Sequence, residues 1–123
     1  MYTLDTNTII YALKQDADAA LVIRSIFTHD APIYISTITE LELFGYPNLT
    51  SAEAELIETL LKTVSIIPVD SRIARIAGSL RRNYRIKSLD AAIAATALST
   101  GSTLLTRNIQ DFQKVPNLLL RKI

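Results

Sequence analysis

From Val64 to Thr106 the chain reads VSIIPVDSRIARIAGSLRRNYRIKSLDAAIAATALSTGSTLLT, and the order of its parts decides the fold. Val64–Val69 is rich in β-branched residues, which suit a pleated strand, with Pro68 near its end. Asp70 is a good N-cap for a helix running to about Asn83. Leu89–Ser99 is apolar and alanine-rich with little polar face, so it predicts a buried helix closed by Gly101. Thr103–Leu105 is again a short strand. The alternation continues outward in both directions. Tyr2–Leu4 reads as a strand followed by a helical stretch at Thr6–Leu13. Ala17–Thr28 has helical apolar spacing at Ala20, Ile23 and Phe27, and Pro32–Ile35 is a strand candidate. Thr37–Phe44 is a short helix stopped by Gly45 and Pro47. Ser51–Lys62 is an amphipathic helix with Ser51 as its cap and Glu53 and Glu55 in its first turns. Leu118–Leu120 is the last strand. Strands alternating with helices predict an α/β fold with a central, mainly parallel β-sheet. Such sheets hold ligands beyond the carboxyl ends of their strands, so the residues just after each strand carry the functional question.

The chain of 123 residues has the length of one domain, and no repeat, low-complexity run or Pro/Gly linker divides residues 1–123. With 49% hydrophobic and 20% charged residues it is globular in composition, which excludes disorder as the dominant state. A chain of this size buries roughly two-thirds of its unfolded surface, enough for a core without staples. Cysteine is absent and His29 is the single histidine. Disulfides, thiolate zinc sites and cysteine nucleophiles are therefore excluded, and a Ser-His-Asp triad has almost nothing to build on. Chemistry must come from carboxylates, hydroxyls, amides and basic side chains. No apolar run approaches the ~20 residues of a membrane span, and Met1–Asp5 lacks the basic start of a signal peptide. The expectation is a cytoplasmic protein with no membrane association.

Charge is unevenly distributed. Residues 1–61 hold two basic residues and nine acids, whereas residues 62–123 hold eleven basic residues and three acids. Arg72, Arg75, Arg81, Arg82, Arg85 and Lys87 follow one another with no acid between them. Such a block either attracts a polyanion through counterion release or forms a solvated face that meets an acidic partner.

The candidate acids lie near strand ends. Asp5 directly follows the first strand, where it can serve as a helix cap or as a functional group. Glu40 lies three residues after Thr37, the spacing of a capping box, and reads as structural. Glu42 shares a face with Ile38, Thr39 and Gly45, and a carboxylate on such a stripe needs compensation. Asp90 opens the apolar helix on the face of Ile93, Ala94 and Ala97, where a dipole role is the simple alternative. Asp111 follows Asn108 by three, a spacing that a local cap also explains. Three carboxylates ~5 Å apart repel by about 3 kcal/mol per pair at an effective dielectric of ~20. Without a cation their pKa values rise until some are neutral. Oxygen-only ligands suit Mg²⁺ or Mn²⁺ and are poor for Zn²⁺. Phosphodiester hydrolysis is one chemistry that uses such a site.

The combination resembles the PIN-domain nucleases, and among them the VapC-like toxins of bacterial and archaeal toxin–antitoxin pairs. The resemblance rests on Leu4-Asp5-Thr6-Asn7, on Ser36-x-x-Thr39-x-x-Glu42 with Gly45, on Leu89-Asp90-Ala91-Ala92-Ile93-Ala94-Ala95-Thr96-Ala97-Leu98, and on Thr106-Arg107-Asn108-x-x-Asp111-Phe112. These occur in the family's order across nearly the whole chain. One departure is Asn83-Tyr84-Arg85, where many relatives have a glycine before the segment matching Lys87-Ser88-Leu89-Asp90. The resemblance implies a three-layer α/β/α sandwich and Mg²⁺- or Mn²⁺-dependent cleavage of RNA. Asp5, Glu42 and Asp90 would be the metal-binding and catalytic core, with Asp111 as the fourth, more variable acid. Thr6 and Asn7 would support Asp5, and Thr106 and Asn108 would orient water or a ligand. Arg107 is a candidate phosphate contact, with a salt bridge as its alternative. Arg72, Arg75, Arg82, Arg85 and Lys87 are candidates for RNA or for an acidic part of an antitoxin. A cognate antitoxin and a homodimer are the implied partners. Two other readings compete: a catalytically inactive module that binds RNA or protein, and a phospho-acceptor domain with Asp5 and Asp70 in its pocket.

Overall fold

Leu104 and Leu105 are neighbours in the chain, both are fully buried, and they enter different hydrophobic cores. Successive side chains of a strand point to opposite faces, so both faces of the sheet must be covered. The computed structural model, which describes residues 1–123, shows how. Five strands, β1 (Tyr2–Leu4), β2 (Ile33–Ser36), β3 (Ser65–Ile67), β4 (Thr103–Thr106) and β5 (Leu120–Lys122), pair in the order β3-β2-β1-β4-β5. Every pairing is parallel. Tyr2 of the central strand stands opposite Ile33 on one side and Thr103 on the other.

One core joins Leu4, Ile33, Ile35 and Leu105 of the sheet to Ile9 of α1 (Thr6–Leu13), Ile26 of α2 (Ala17–Phe27), Leu43 of α3 (Thr37–Phe44) and Ile57 of α4 (Ser51–Leu61). The other joins Leu104 to α5 (Ser71–Tyr84) and α6 (Ser88–Thr100), with Phe112 of α7 (Ile109–Phe112) and Val115. This is the three-layer α/β/α arrangement. Helix α5 buries Ile73, Ala77 and Leu80, at helical spacing, and turns its arginines outward. Every residue from Ala91 to Ala97 of α6 is buried, as its missing polar face predicts.

The winding reverses between β1 and β4. From β1 the chain steps outward through β2 to β3, then returns to the other side of β1 and continues to β5. The crevice at such a reversal is where open parallel sheets bind ligands. Asp5 follows the carboxyl end of β1 and Thr106 ends β4, so both lie at that point.

Local chemistry moved several boundaries. Thr50, not Ser51, caps α4, because its hydroxyl accepts from the Glu53 N–H while Glu53 accepts from the Thr50 N–H. Ser36 rather than Thr37 caps α3, accepting from the Ile38 N–H. Thr37 Oγ1 instead accepts from the Val69 N–H at 3.1 Å and ties down the β3–α5 turn. Glu40 is therefore not the acid of a capping box. Strand β3 is shorter than Val64–Val69, since Pro68 has no N–H to give the ladder. The last strand lies at Leu120–Lys122, beyond the expected Leu118–Leu120. The unforeseen helix α7 and a left-handed Asn117 (φ 65°) take up the intervening chain, and Leu104 pairs with Leu120.

Arg85, the last residue of the segment Asn83-Tyr84-Arg85, adopts the left-handed region (φ 56°, ψ 37°) to end α5. A side chain with a Cβ is strained there, by roughly 1 kcal/mol. Arg85→Gly should therefore raise stability by up to about 1 kcal/mol, read as a higher urea midpoint with an unchanged slope. Gly101, the corresponding end of α6 at φ 65°, should show the reverse, with Gly101→Ala costing about 1 kcal/mol.

Asp16 joins two distant segments. Its carboxylate caps α2 through the Ala19 N–H and accepts both Arg107 nitrogens, at 2.8 and 3.2 Å, while the guanidinium lies 4.2 Å from the Tyr11 ring centroid. The hydrogen bond from Arg107, helped by that from Ala19, lowers the carboxyl from 3.8 to about 2. Because the folded value lies below the unfolded one, the stabilisation is present above pH 3.8 and is lost as pH falls towards 2. Asp16→Asn keeps the cap and loses the charge. Its melting temperature should sit below that of the unmodified chain by a constant margin above about pH 5, and the two curves should converge on acidification. A margin independent of pH would remove the ion pair from the account.

Candidate active site

The first carboxylate is placed by the end of the central strand. Leu4 is fully buried, and Asp5, only 5% exposed, begins α1 as its cap. Asp5 Oδ1 accepts from the Thr8 N–H at 2.8 Å. The structural and functional readings of Asp5 are thus compatible: one oxygen is spent on the helix, the other is uncommitted.

Thr6 connects Asp5 to a second element. Its buried hydroxyl donates to Glu42 Oε1 at 2.6 Å and lies 3.3 Å from Oγ1 of the fully buried Thr39. Glu42 is in the last turn of α3 and is half-buried, and the Thr6 hydrogen bond is the compensation its position required. Asp90 comes from the first turn of α6. Its carboxyl is raised above 3.8, chiefly by burial, then by the negative charges of Glu42, Asp111 and Asp5, with Lys87 opposing. Asp5, Glu42 and Asp90, with Thr6, Asn7 and Ile93, line one cleft of about 40 Å³. A buried water needs ~10–15 Å³ of such volume, so the cleft has room for a small ion and its waters.

Asp111 stands slightly apart. Its charge reaches Asp90, but it is not among the residues lining the cleft. Asn108 Nδ2 donates to Asp111 Oδ2 at 2.9 Å, and Lys114 lies 3.9 Å from the other oxygen. Thr106 Oγ1 accepts from the Asn108 N–H at 2.9 Å. Thr106, Asn108 and Asp111 therefore order the turn after β4 as one local chain of hydrogen bonds. No three Asp, Glu or His side chains stand together as a ready ligand group; Asp5, Glu42 and Asp111 each commit one oxygen to the protein and keep the other.

This donor set fits a hard divalent cation. All the ligands on offer are oxygens, and at Asp90 burial and the neighbouring negative charges disfavour the charged carboxylate. His29 is exposed at the end of α2, bound to the Ser25 carbonyl, and takes no part. Asp70 caps α5 through the Ile73 N–H and does not line the cleft with Asp5, which removes the pocket of the phospho-acceptor reading.

The basic candidates divide. Arg72, Arg75, Arg82, Arg85 and Lys87 are all exposed. Of these, Lys87 is the one whose charge acts on Asp90, whereas Arg72 and Arg75 border a separate open surface with Ser71 and Ile76. Arg107 is committed to Asp16. Arg81, not among the candidates, donates to the Ser88 hydroxyl two residues before Asp90. Sequence reading also missed Tyr46, which with Thr6, Asn7 and Glu42 borders a larger groove beside the cleft. Its only sequence signal is an aromatic placed directly after the glycine that stops α3.

The PIN domain family's sequence model matches residues 2–118. The Rickettsia felis protein named ribonuclease VapC2 is 30% identical over 128 residues, covering 98% of this chain and 96% of that one. The crystal structure of VapBC2 from Rickettsia felis, bound to a DNA fragment from its promoter, is similar with a TM-score of 0.83 at 27% identity, covering 99% and 98% of the two chains. A toxin–antitoxin complex from Klebsiella pneumoniae has a TM-score of 0.81 at 28% identity, with both chains covered in full. The all-parallel sheet, the acids at its switch point and a match over nearly every residue agree: this chain belongs to the PIN domain family.

Proposed function

We propose that residues 1–123 form a single-domain ribonuclease that hydrolyses RNA phosphodiester bonds with Mg²⁺ or Mn²⁺, and that it is the toxin of a toxin–antitoxin pair. The observation that carries the reading is the convergence of Asp5, Glu42 and Asp90 on one cleft at the point where the sheet reverses, where burial and the neighbouring charges raise the Asp90 carboxyl. Carboxylates held in mutual repulsion at a ligand-binding crevice are costly for folding alone, and a cation makes them useful.

Asp5, Glu42 and Asp90 would hold the cation, with Asp111 behind them. A divalent cation there supplies charge for the phosphoryl oxygen and lowers the pKa of an attacking water. The chain's own residues do the positioning. The Thr8 N–H and the Thr6 hydroxyl each fix one carboxylate oxygen, holding Asp5 and Glu42 in orientation. Thr39 packs behind Thr6. Lys87 offsets the negative charge at Asp90, which favours the approach of a phosphodiester. The one hydroxyl lining the cleft, Thr6, donates its proton to Glu42 and has no adjacent histidine to act as its base, so we assign the attack to water, with no covalent enzyme intermediate.

The relatives named ribonuclease and toxin–antitoxin complex support the RNA substrate and an antitoxin partner for this chain. Exposed arginines of α5 suit an RNA backbone or an acidic antitoxin segment. A homodimer belongs to the same reading, with Leu21 and Leu56, 60% and 57% exposed on α2 and α4, among the apolar groups it would cover. No helix is long and apolar enough to cross a membrane, and we assign the chain to the cytoplasm.

The decisive experiment incubates antitoxin-free protein with structured and unstructured RNAs in Mg²⁺, Mn²⁺ or EDTA. Cleavage should require the cation and fall by roughly a hundredfold or more in Asp5→Asn and Asp90→Asn. Folded protein that cuts no RNA with either metal would instead support the inactive binding module. Thr6→Val, which leaves Glu42 without its donor, should lose roughly ten- to hundredfold in rate. The raised carboxyl of Asp90 also makes a stability prediction. Its charged form opposes folding, so in EDTA at neutral pH Asp90→Asn should melt above the unmodified chain. That advantage should vanish as pH falls below 3.8, where Asp90 is protonated whether folded or not. An inactive variant that is also less stable in EDTA would contradict the assigned repulsion.

A further inference from the structure

Beside the acid cleft lies an open groove of about 400 Å³ that the chemistry above does not use. It shares Thr6, Asn7 and Glu42 with the cleft, so the two adjoin, and its remaining wall includes Ile10, Leu41 and Tyr46. The volume lies within the ~300–1,000 Å³ typical of small-molecule sites. We propose that this groove is a nucleobase subsite, in which the base of a nucleotide flanking the scissile phosphate stacks on the Tyr46 ring. The proposal rests on the ribonuclease reading above and adds where the substrate's base is held.

Three observations support a base rather than a purely apolar occupant. Tyr46 is braced: Lys14 Nζ lies 5.2 Å from its ring centroid and is itself held by Glu53 Oε2 at 2.8 Å. A ring fixed in this way can stack without first being ordered. Tyr46 also stands one helical turn beyond Glu42, locked by its N–H to the Leu43 carbonyl. The turn that places it needs Gly45, where a Cβ would come within 2.9 Å of the Leu41 carbonyl oxygen. Finally, the exposed Asn7 borders both cleft and groove and offers an amide donor and acceptor to a base edge or a ribose hydroxyl. Aromatic stacking accepts any base and is lost when the ring is removed.

The test measures binding of fluorescent single-stranded RNA pentamers of adenylate, cytidylate, guanylate and uridylate by anisotropy, using the Asp90→Asn protein with Mg²⁺. Tyr46→Leu, which keeps apolar bulk against Lys14 and α4, should weaken the best-bound pentamer about tenfold. Tyr46→Phe should stay within about twofold. A pentamer made abasic at the stacked position should bind equally well with and without the Tyr46→Leu substitution. Cleavage by the Asp90-intact protein reports separately, with Tyr46→Leu raising KM. Equal losses for Tyr46→Leu and Tyr46→Phe, or full affinity in a folded Tyr46→Leu protein, would overturn the subsite. RNA cutting that ignores Tyr46 defeats the subsite alone. Tyr46-dependent binding without any cutting defeats the nuclease reading and leaves the subsite standing.

Discussion

Everything at the carboxyl edge of the sheet depends on a buried carboxylate being tolerable at residue 5. Asp5 ends the central strand and starts α1, and its burial is bearable because Oδ1 receives the Thr8 N–H. A helix N-terminus left without such an acceptor carries unsatisfied N–H groups, so the same bond satisfies the helix and fixes the orientation of Asp5 in the cleft. It also sets the position of Thr6, whose hydroxyl reaches across to α3 and fixes Glu42. Two of the three cleft acids are thus held by hydrogen bonds that begin at one strand end.

The third acid is left strained by the packing. Asp90 sits in the first turn of α6, where the helix dipole favours a negative charge, yet burial and three neighbouring carboxylates outweigh that advantage and raise its carboxyl. Helix α6 is buried from Ala91 to Ala97 and cannot rotate Asp90 into solvent without exposing its core face. Repulsion is therefore built into the resting fold. A carboxyl held in a cleft where its charged form is disfavoured lowers local stability.

Elsewhere the shifted charges are paired. The Lys14–Glu53 and Arg107–Asp16 pairs link α1 to α4 and the β4–α7 turn to α2, each with a tyrosine under the cation. Both lie at the surface, where ion pairs add little to stability, and their effect is to hold side chains in place. Arg107 illustrates the limit of motif reading. It lies between Thr106 and Asn108, both near the acids, yet its guanidinium turns to Asp16.

Local sequence determined the alternation of strands and helices, the burial of α6 and the caps at Asp5 and Asp70, because hydrophobic period and capping chemistry act within a few residues. It also pointed to Asp5, Glu42 and Asp90 as a set through a family resemblance, and the fold brings the three to one cleft. It did not determine the cap of α3, since Ser36 and Thr37 are equally good acceptors and a distant Val69 N–H chose between them. Nor did it settle the register of β5, which waits on pairing with Leu104. That Asp5, Glu42 and Asp90 share one cleft while Asp111 stands behind it, and that Tyr46 borders it, was decided by tertiary structure. The sheet winds outward, reverses beside β1, and thereby brings together residues 5, 42 and 90, which no local interaction connects.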